Sequence, residues 1–214
     1  MNKIIAHRGI HNNIIKENTY LAINSAINNK KLAGVEFDIR LTKDNYIVII
    51  HDSYINRTSN GIGKVENMKL NELKKYNYGS KKFYQPIITL DKILEINTNK
   101  IFLIEVKINN NEKKFASILK KELDKYNNTN IYITSFSKKF LNIFAKNNNY
   151  LVGPIILNNN IRNKRYNFFV LNYLTFKKNT ILKLKKKNKL IFIWNLFDKD
   201  IKNYDNLYLI KNIK

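Results

Sequence analysis

The chain has 214 residues, enough for one sizeable core and short for two full domains. It has no cysteine, which excludes disulfides and thiolate metal sites and leaves the redox compartment open. Its formal net charge of +23 invites a nucleic-acid or membrane-surface role, yet the charge is unevenly spread: residues 1–52 hold 7 Lys+Arg against 5 Asp+Glu, and residues 151–214 hold 14 against 3.

The N-terminal "MNKIIAHRGI" interrupts a short apolar run with His7 and Arg8, unlike a signal peptide. The first strand is expected over 3–7, followed by a helix over 19–29, with Asn18 or Thr19 as its N-cap. Further strands are expected over 34–39, 46–51, 101–106, 131–136, 150–157, 167–172, 190–197 and 206–210. Apolar spacing predicts helices over 111–126, 137–147 and 177–188. Residues 53–90 carry no strong strand signal and hold Gly61, Gly63, Gly79 and Pro86, which predicts an excursion with a short helix near 70–76. No repeat, disordered linker or eighteen-residue apolar span is present, so a soluble, cytoplasmic protein is expected.

Continuously apolar strands alternating with helices predict a parallel sheet covered by helices, an α/β protein. About eight strands in this length fit a (β/α)₈ TIM barrel better than an open sheet. Nine candidates compete for eight places, and the link over 40–45 is too short for a helical crossover. A somewhat irregular barrel is therefore expected.

The polar residues fall where such a barrel carries its chemistry. His7 and Arg8 end the first strand, Glu36 and Asp38 the second and His51 the third; Glu105 and Lys107, then Ser135 and later Trp194, end others. Glu36 and Asp38 are two residues apart on a strand and share a face. With Glu105 they make an all-oxygen acidic set suited to Mg²⁺ or Ca²⁺. The plainer alternative is ion pairing, Asp38 with Arg40 and Glu105 with Lys107. His7 and His51 can divide general-base and general-acid roles, and which does which is open. Arg8 and Lys107 supply fixed positive charge for an anionic substrate. His11, in the turn "GIHNN", is given no role. The lysine runs "NNKK", "NNNEKK" and "KLKKKNK" read as an A/T codon bias scattering charge over solvated faces, with a secondary role in drawing in anions.

In order, "AHRG" (6–9), "ENT" (17–19), "VEFDIRLTKDNYIVIIHD" (35–52), "RTSNGIGKV" (57–65), "LNELKK" (70–75), "PIITLDKILE" (86–95), "IEVK" (104–107), "SF" (135–136) and Trp194 resemble the glycerophosphodiester phosphodiesterase family. The combination of HRG, E-x-D, HD and E-x-K at this spacing is the specific part. The resemblance implies one PLC-like TIM-barrel domain over 1–214 with a small insertion at about 53–90. It implies a divalent metal, Mg²⁺ or Ca²⁺, on Glu36, Asp38 and Glu105. His7 and His51 are then the acid–base pair, Arg8 and Lys107 hold phosphate, and Phe136 and Trp194 line the glycerol or leaving-alcohol pocket. The implied reaction hydrolyses glycerophosphodiesters to glycerol 3-phosphate and an alcohol. The alternative is a lysophospholipase-D-like phosphodiesterase or lyase at a membrane surface. A small-molecule substrate is expected, with no nucleic acid and no stable membrane insertion; the oligomeric state is not readable. The sequence departs from the family at Lys16 (commonly Pro), around "WNLF", and at the end "YDNLYLIKNIK", so the alcohol side and the barrel closure are where differences are expected.

Overall fold

Strands β1 (Lys3–Ile10), β2 (Gly34–Leu41), β4 (Ile101–Val106), β5 (Ile131–Ser135), β6 (Leu151–Ile156), β7 (Phe168–Asn172), β8 (Leu190–Trp194) and β9 (Tyr208–Ile213) pair in parallel all the way round, β9 returning to β1. This is a closed eight-stranded TIM barrel. It is seen in a computed structural model that describes residues 3–126, 130–146, 149–157, 166–176, 178–195 and 207–214.

The ninth candidate, β3 (Ile47–Ile49), lies outside the barrel. It runs antiparallel to the end of β2, with Ile39 opposite Ile49 and Leu41 opposite Ile47. The short link is thus a hairpin turn, with Asn45 in the left-handed region at φ 69°. Contrary to the expectation from the sequence, His51 therefore does not end a barrel strand. It is delivered to the rim by the returning arm of a hairpin, where Ile50 N–H donates to the Asp38 carbonyl at 2.9 Å.

Helices α1 (Tyr20–Asn28), α4 (Glu112–Leu123), α5 (Lys138–Lys146) and α6 (Lys178–Lys186) follow strands of the wall, and α3 (Leu90–Leu94) leads from the excursion into β4. The amphipathic spacing of α1 buries Ala22, Ile23, Ala26 and Ile27, and Thr19 is its N-cap, accepting from Ala22 N–H. Helix α2 (Leu70–Leu73) lies in the excursion, which packs its own apolar cluster of Ile55, Val65, Leu73 and Ile87 against Val48 of β3. The short α3 escaped the sequence reading because five residues carry too little periodicity. Residues 147, 177, 196, 197 and 206, within the expected ranges, lie outside the described residues.

Alternate residues of each strand point into the barrel. Its lower interior is filled by aromatic rings: Tyr132, Phe168 and Phe192 meet edge to face at 5.3–5.5 Å between centroids, and Phe192 stacks on Tyr208 at 4.7 Å. Gly153 makes this possible, since a Cβ there would lie 2.5 Å from the Phe168 ring. Each such ring pair contributes about 0.5–1.5 kcal/mol beyond burial. The plug closes the barrel from below and leaves the upper layers free for chemistry.

Candidate active site

The inward alternation that buries Ile5 and Leu103 below puts His7, Glu36, Asp38 and Glu105 above. Strand register aligns them: His7 is opposite Glu36, and Asp38 opposite Glu105. One oxygen from each of Glu36, Asp38 and Glu105 falls within 4.8 Å of the others. Glu36 and Asp38 are almost fully buried. Three carboxylates this close disfavour one another's charge. Burial, then Asp38 and Glu105, raise the Glu36 carboxyl well above its ordinary value; burial and Asp38 raise Glu105 to about 7. Asp38 goes the other way: against the effect of burial, Lys107 and Arg8 hold it low.

Lys107 Nζ stands 3.2 Å from Asp38 Oδ1 and 2.5 Å from Glu105 Oε1. The ammonium already pairs with both oxygens without giving either a hydrogen bond of good geometry, so a divalent cation held here would take its place. An all-carboxylate cluster of this kind fits a hard divalent cation. The ion-pairing alternative holds for Glu105 with Lys107 and fails for Arg40, whose Nε donates to the His51 carbonyl and whose Nη1 donates to Asn109 Oδ1, both at 2.8 Å.

The β1 end is bent to serve this cluster. Arg8 has φ 57° and Gly9 φ 82°. A Cβ on Gly9 would sit 2.4 Å from the Ala22 carbonyl carbon of α1, so only glycine fits there. The left-handed arginine stores about 1–2 kcal/mol. In return its N–H donates to Glu36 Oε2 at 3.0 Å and its Nε lies 3.3 Å from Asp38 Oδ2. Asn18, also left-handed at φ 57°, donates from Nδ2 to Asp38 Oδ2 at 2.9 Å, so its role is to brace Asp38 while Thr19 caps the helix.

His7 Nδ1 donates to Asn212 Oδ1 at 2.7 Å, which leaves Nε2 bare and 3.8 Å from Glu36. His51 Nδ1 donates to Asp52 Oδ1 at 2.6 Å, leaving its Nε2 bare too. Burial lowers both imidazoles, with Arg8 adding to the effect at His7. Asp52 is fixed in turn by Arg57 Nε at 2.6 Å, and Arg57 Nη2 donates to Glu17 Oε1 at 2.7 Å. Glu17 also accepts from Arg8 Nη1 at 2.9 Å. One unbroken chain of ion pairs thus runs from Asp38 through Arg8, Glu17, Arg57 and Asp52 to His51.

Beside the cluster lies a cavity of about 200 Å³, lined by His7, Glu36, His51, Glu105 and Lys107 on one side and by Phe136, Ile155, Val170, Trp194 and Ile210 on the other. Lys107 Nζ sits 5.9 Å from the Phe136 ring centroid. Trp194 Nε1 and Thr134 Oγ1 are buried with no hydrogen-bond partner among the described residues. Ser135 faces away from this cavity's chemistry: its hydroxyl donates to the Val106 carbonyl at 2.7 Å and ties β5 to β4.

The sequence profile of the glycerophosphoryl diester phosphodiesterase family matches residues 7–200, about nine-tenths of the chain. The chain belongs to that family. A glycerophosphodiester phosphodiesterase of Caldanaerobacter subterraneus subsp. tengcongensis is 35% identical over 142 residues, covering 63% of this chain and 58% of that protein. Another, of Bacillus altitudinis, is 32% identical over 156 residues, covering 68% and 62%. These matches span about six-tenths of the relatives' own length. In structure, an Oleispira antarctica phosphodiesterase solved with the product sn-glycerol-3-phosphate superposes with a TM-score of 0.87 at 20% identity, over 98% of this chain and 92% of that one. The Thermotoga maritima glycerophosphodiester phosphodiesterase gives 0.79 at 25% identity, over 98% and 94%.

Within this family's barrel, the structure brings His7, Arg8, Glu36, His51, Glu105, Lys107, Phe136 and Trp194 to one cavity, with Asp38 beneath it. Residues that sequence reasoning left without a role are Glu17, Asp52, Arg57, Thr134 and Asn212, and Arg40 was given a different one, as a partner of Asp38. Glu17 and Arg57 stand in the "ENT" and "RTSNGIG" pieces, and Asp52 directly follows His51, so that signal was available. Asn212 lies in the departing C-terminal strand and gave none.

Proposed function

We propose that the protein hydrolyses glycerophosphodiesters to glycerol 3-phosphate and an alcohol, using His7 and His51 as the proton-transfer pair beside a divalent cation. The observation that carries this reading is the convergence of a cluster of three carboxylates, two cations and two imidazoles with bare Nε2 atoms at and just beneath one cavity. Glu36, Asp38 and Glu105 are the residues that would hold Mg²⁺ or Ca²⁺. Bound there, the cation would supply positive charge to non-bridging phosphate oxygens.

The chain's own groups do the rest. Arg8 and Lys107 are fixed by Asp38 and orient the phosphate, with charge aimed where it builds up in the transition state. His7 is buttressed by a neutral amide, which adds no negative charge to favour its imidazolium and so suits a proton acceptor. It takes the proton of a water, or of the adjacent glycerol hydroxyl if the reaction passes through a cyclic phosphate. His51 is buttressed by a carboxylate, which favours its imidazolium and suits it to protonate the leaving alkoxide. Phe136 and Trp194 wall the glycerol side, and Trp194 Nε1 and Thr134 Oγ1 offer free hydrogen-bonding groups to its hydroxyls. The lysophospholipase-D-like alternative has no observation in its favour.

The test is release of glycerol 3-phosphate from glycerophosphocholine and glycerophosphoethanolamine, first with EDTA and then with Mg²⁺ or Ca²⁺ restored. Metal-restored release supports the reading. Activity on micellar lysolipid alone overturns it in favour of the alternative.

A further inference from the structure

A phosphodiester has two arms, and the barrel cavity of about 200 Å³ has room for only one small one. A second, larger cleft of about 860 Å³ lies beside the charged rim, between the loop after β1 and the excursion. Arg57 and Glu17 line it, and these are the residues that hold Asp52 behind His51. Arg8 lines the barrel cavity and is bonded to Glu17, so the Arg8–Glu17–Arg57 chain is a partition with the barrel cavity on one side and this cleft on the other.

The cleft has a definite chemistry. Its cations are Lys16, Arg57, Lys81 and Lys82; its one acid, Glu17, is already bonded to Arg8 and Arg57. Among the described residues that line it there is no Trp, Tyr or Phe. Two polar atoms on its walls, His11 Nε2 and Thr58 Oγ1, are buried without a hydrogen-bond partner. A buried polar atom left without a partner calls for an explanation, and a bound water or ion is one. A cationic head such as a quaternary ammonium is recognised by aromatic faces and free carboxylates, and the cleft offers neither. With Arg57 taken up by Glu17 and Asp52, three lysines without a carboxylate partner among the described residues, beside orphaned donors and acceptors, suit an alcohol that bears negative charge.

We propose that this cleft is the leaving-alcohol subsite, and that it selects phosphodiesters whose alcohol carries a further phosphate over those with a cationic head. The proposal rests on the phosphodiesterase reading and adds the substrate class to it. It also explains what the lysines of the excursion are for, because charges on a cleft wall focus an anion, whereas lysines scattered over solvated faces do not.

Three probes that differ in the alcohol alone decide it: glycerophosphoinositol 4-phosphate, glycerophosphoinositol and glycerophosphocholine, each turned over with saturating divalent metal at low salt. The expected order of kcat/KM is anionic, then neutral, then cationic, with the first step roughly ten-fold and shrinking as salt rises. In the double variant Lys81→Glu, Lys82→Glu, the anionic-to-neutral ratio is expected to fall to about one or below. Both lysines are exposed, so the variant folds; an unchanged melting temperature checks this. Equal rates on all three probes, a preference for the choline diester, or a ratio indifferent to the charge reversal would overturn the subsite and leave the phosphodiesterase reading standing. No turnover of any probe overturns that reading, and the subsite with it.

Discussion

The two halves of the barrel mouth are built from opposite materials. Strands β1, β2 and β4 with the β3 hairpin present His7, Arg8, Glu36, Asp38, His51, Glu105 and Lys107; strands β5 to β9 present Thr134, Ile155, Val170, Trp194 and Ile210. On the first half every charged group is held by another, and the chain of ion pairs reaches from Asp38 to His51. On the second half two polar atoms, Thr134 Oγ1 and Trp194 Nε1, lie among apolar side chains without partners. The division teaches how the site works. Charge chemistry needs preorganised dipoles and fixed protonation states, so it sits where neighbours determine each group. On the proposed reading, recognition of a small polyol would need shape, which the apolar wall supplies, and a few free hydrogen-bonding groups, which Thr134 and Trp194 supply.

Breaking the charged half should have the largest effect. Glu36→Gln keeps the shape and the Arg8 N–H acceptor but removes one of three cation ligands, and metal-dependent turnover is expected to vanish while circular dichroism is unchanged. A variant with wild-type kcat would remove Glu36 from the metal site. His51→Ala is expected to lower kcat by about 10²–10⁴ while KM moves little. An effect confined to KM would make His51 a binding residue.

A smaller effect sharpens the roles of the two histidines. Asp52 carries a carboxylate that Arg57 holds far below the ordinary range, so it stays ionised wherever the enzyme works. Asp52→Asn takes that charge from behind His51 and is expected to cost about 10–100-fold in kcat. The sign of the pH effect follows: without Asp52 the His51 imidazolium gives up its proton sooner, so the alkaline limb of the kcat profile moves to lower pH. A shift of the acid limb instead would exchange the two roles.

The charged half was the legible one. Glu36 and Asp38 announced themselves because two carboxylates on one strand face repel unless something cationic joins them, and period-two alternation is a strong local signal. The barrel was legible from nine apolar runs, but not which run was surplus; that depends on hairpin pairing between β2 and β3, which the 40–45 link hinted at. Asn212 and Thr134 could not be read. A Thr or Asn at a strand end has many uncharged uses, and only the register that places Asn212 against His7 separates them. Arg40 misled by proximity: two residues from Asp38 in sequence, it reaches past it to the His51 carbonyl.

The raised carboxyls predict a weaker, thermodynamic signature. With Glu105 at about 7 in the folded metal-free protein against an ordinary 4.5, the folded state binds more protons than the unfolded chain between those values. This contribution to stability is present below about pH 4.5 and is lost as pH rises through 7. A divalent cation on the cluster must displace that proton, so its affinity rises over the same interval. The melting temperature gained on adding Mg²⁺ or Ca²⁺ is therefore expected to be several degrees larger at pH 8 than at pH 6. An equal gain at both values would mean that no carboxyl of the cluster is protonated in the metal-free protein.

The apolar half should respond least, and in a different quantity. Trp194 is opposite Asn172 in the β7–β8 register and presents an unpartnered Nε1–H to the cavity beside Ile155, Val170 and Ile210. If this wall holds glycerol alike in the ground and transition states, Trp194→Ala removes uniform binding, raising KM by roughly ten-fold with kcat nearly unchanged. Trp194→Phe keeps most of the wall but deletes the donor, so the part of the loss it retains measures the hydrogen bond alone. A fall in kcat with KM constant would show that the apolar wall tightens on the reacting phosphate only at the transition state, and the two halves would then share the catalytic work.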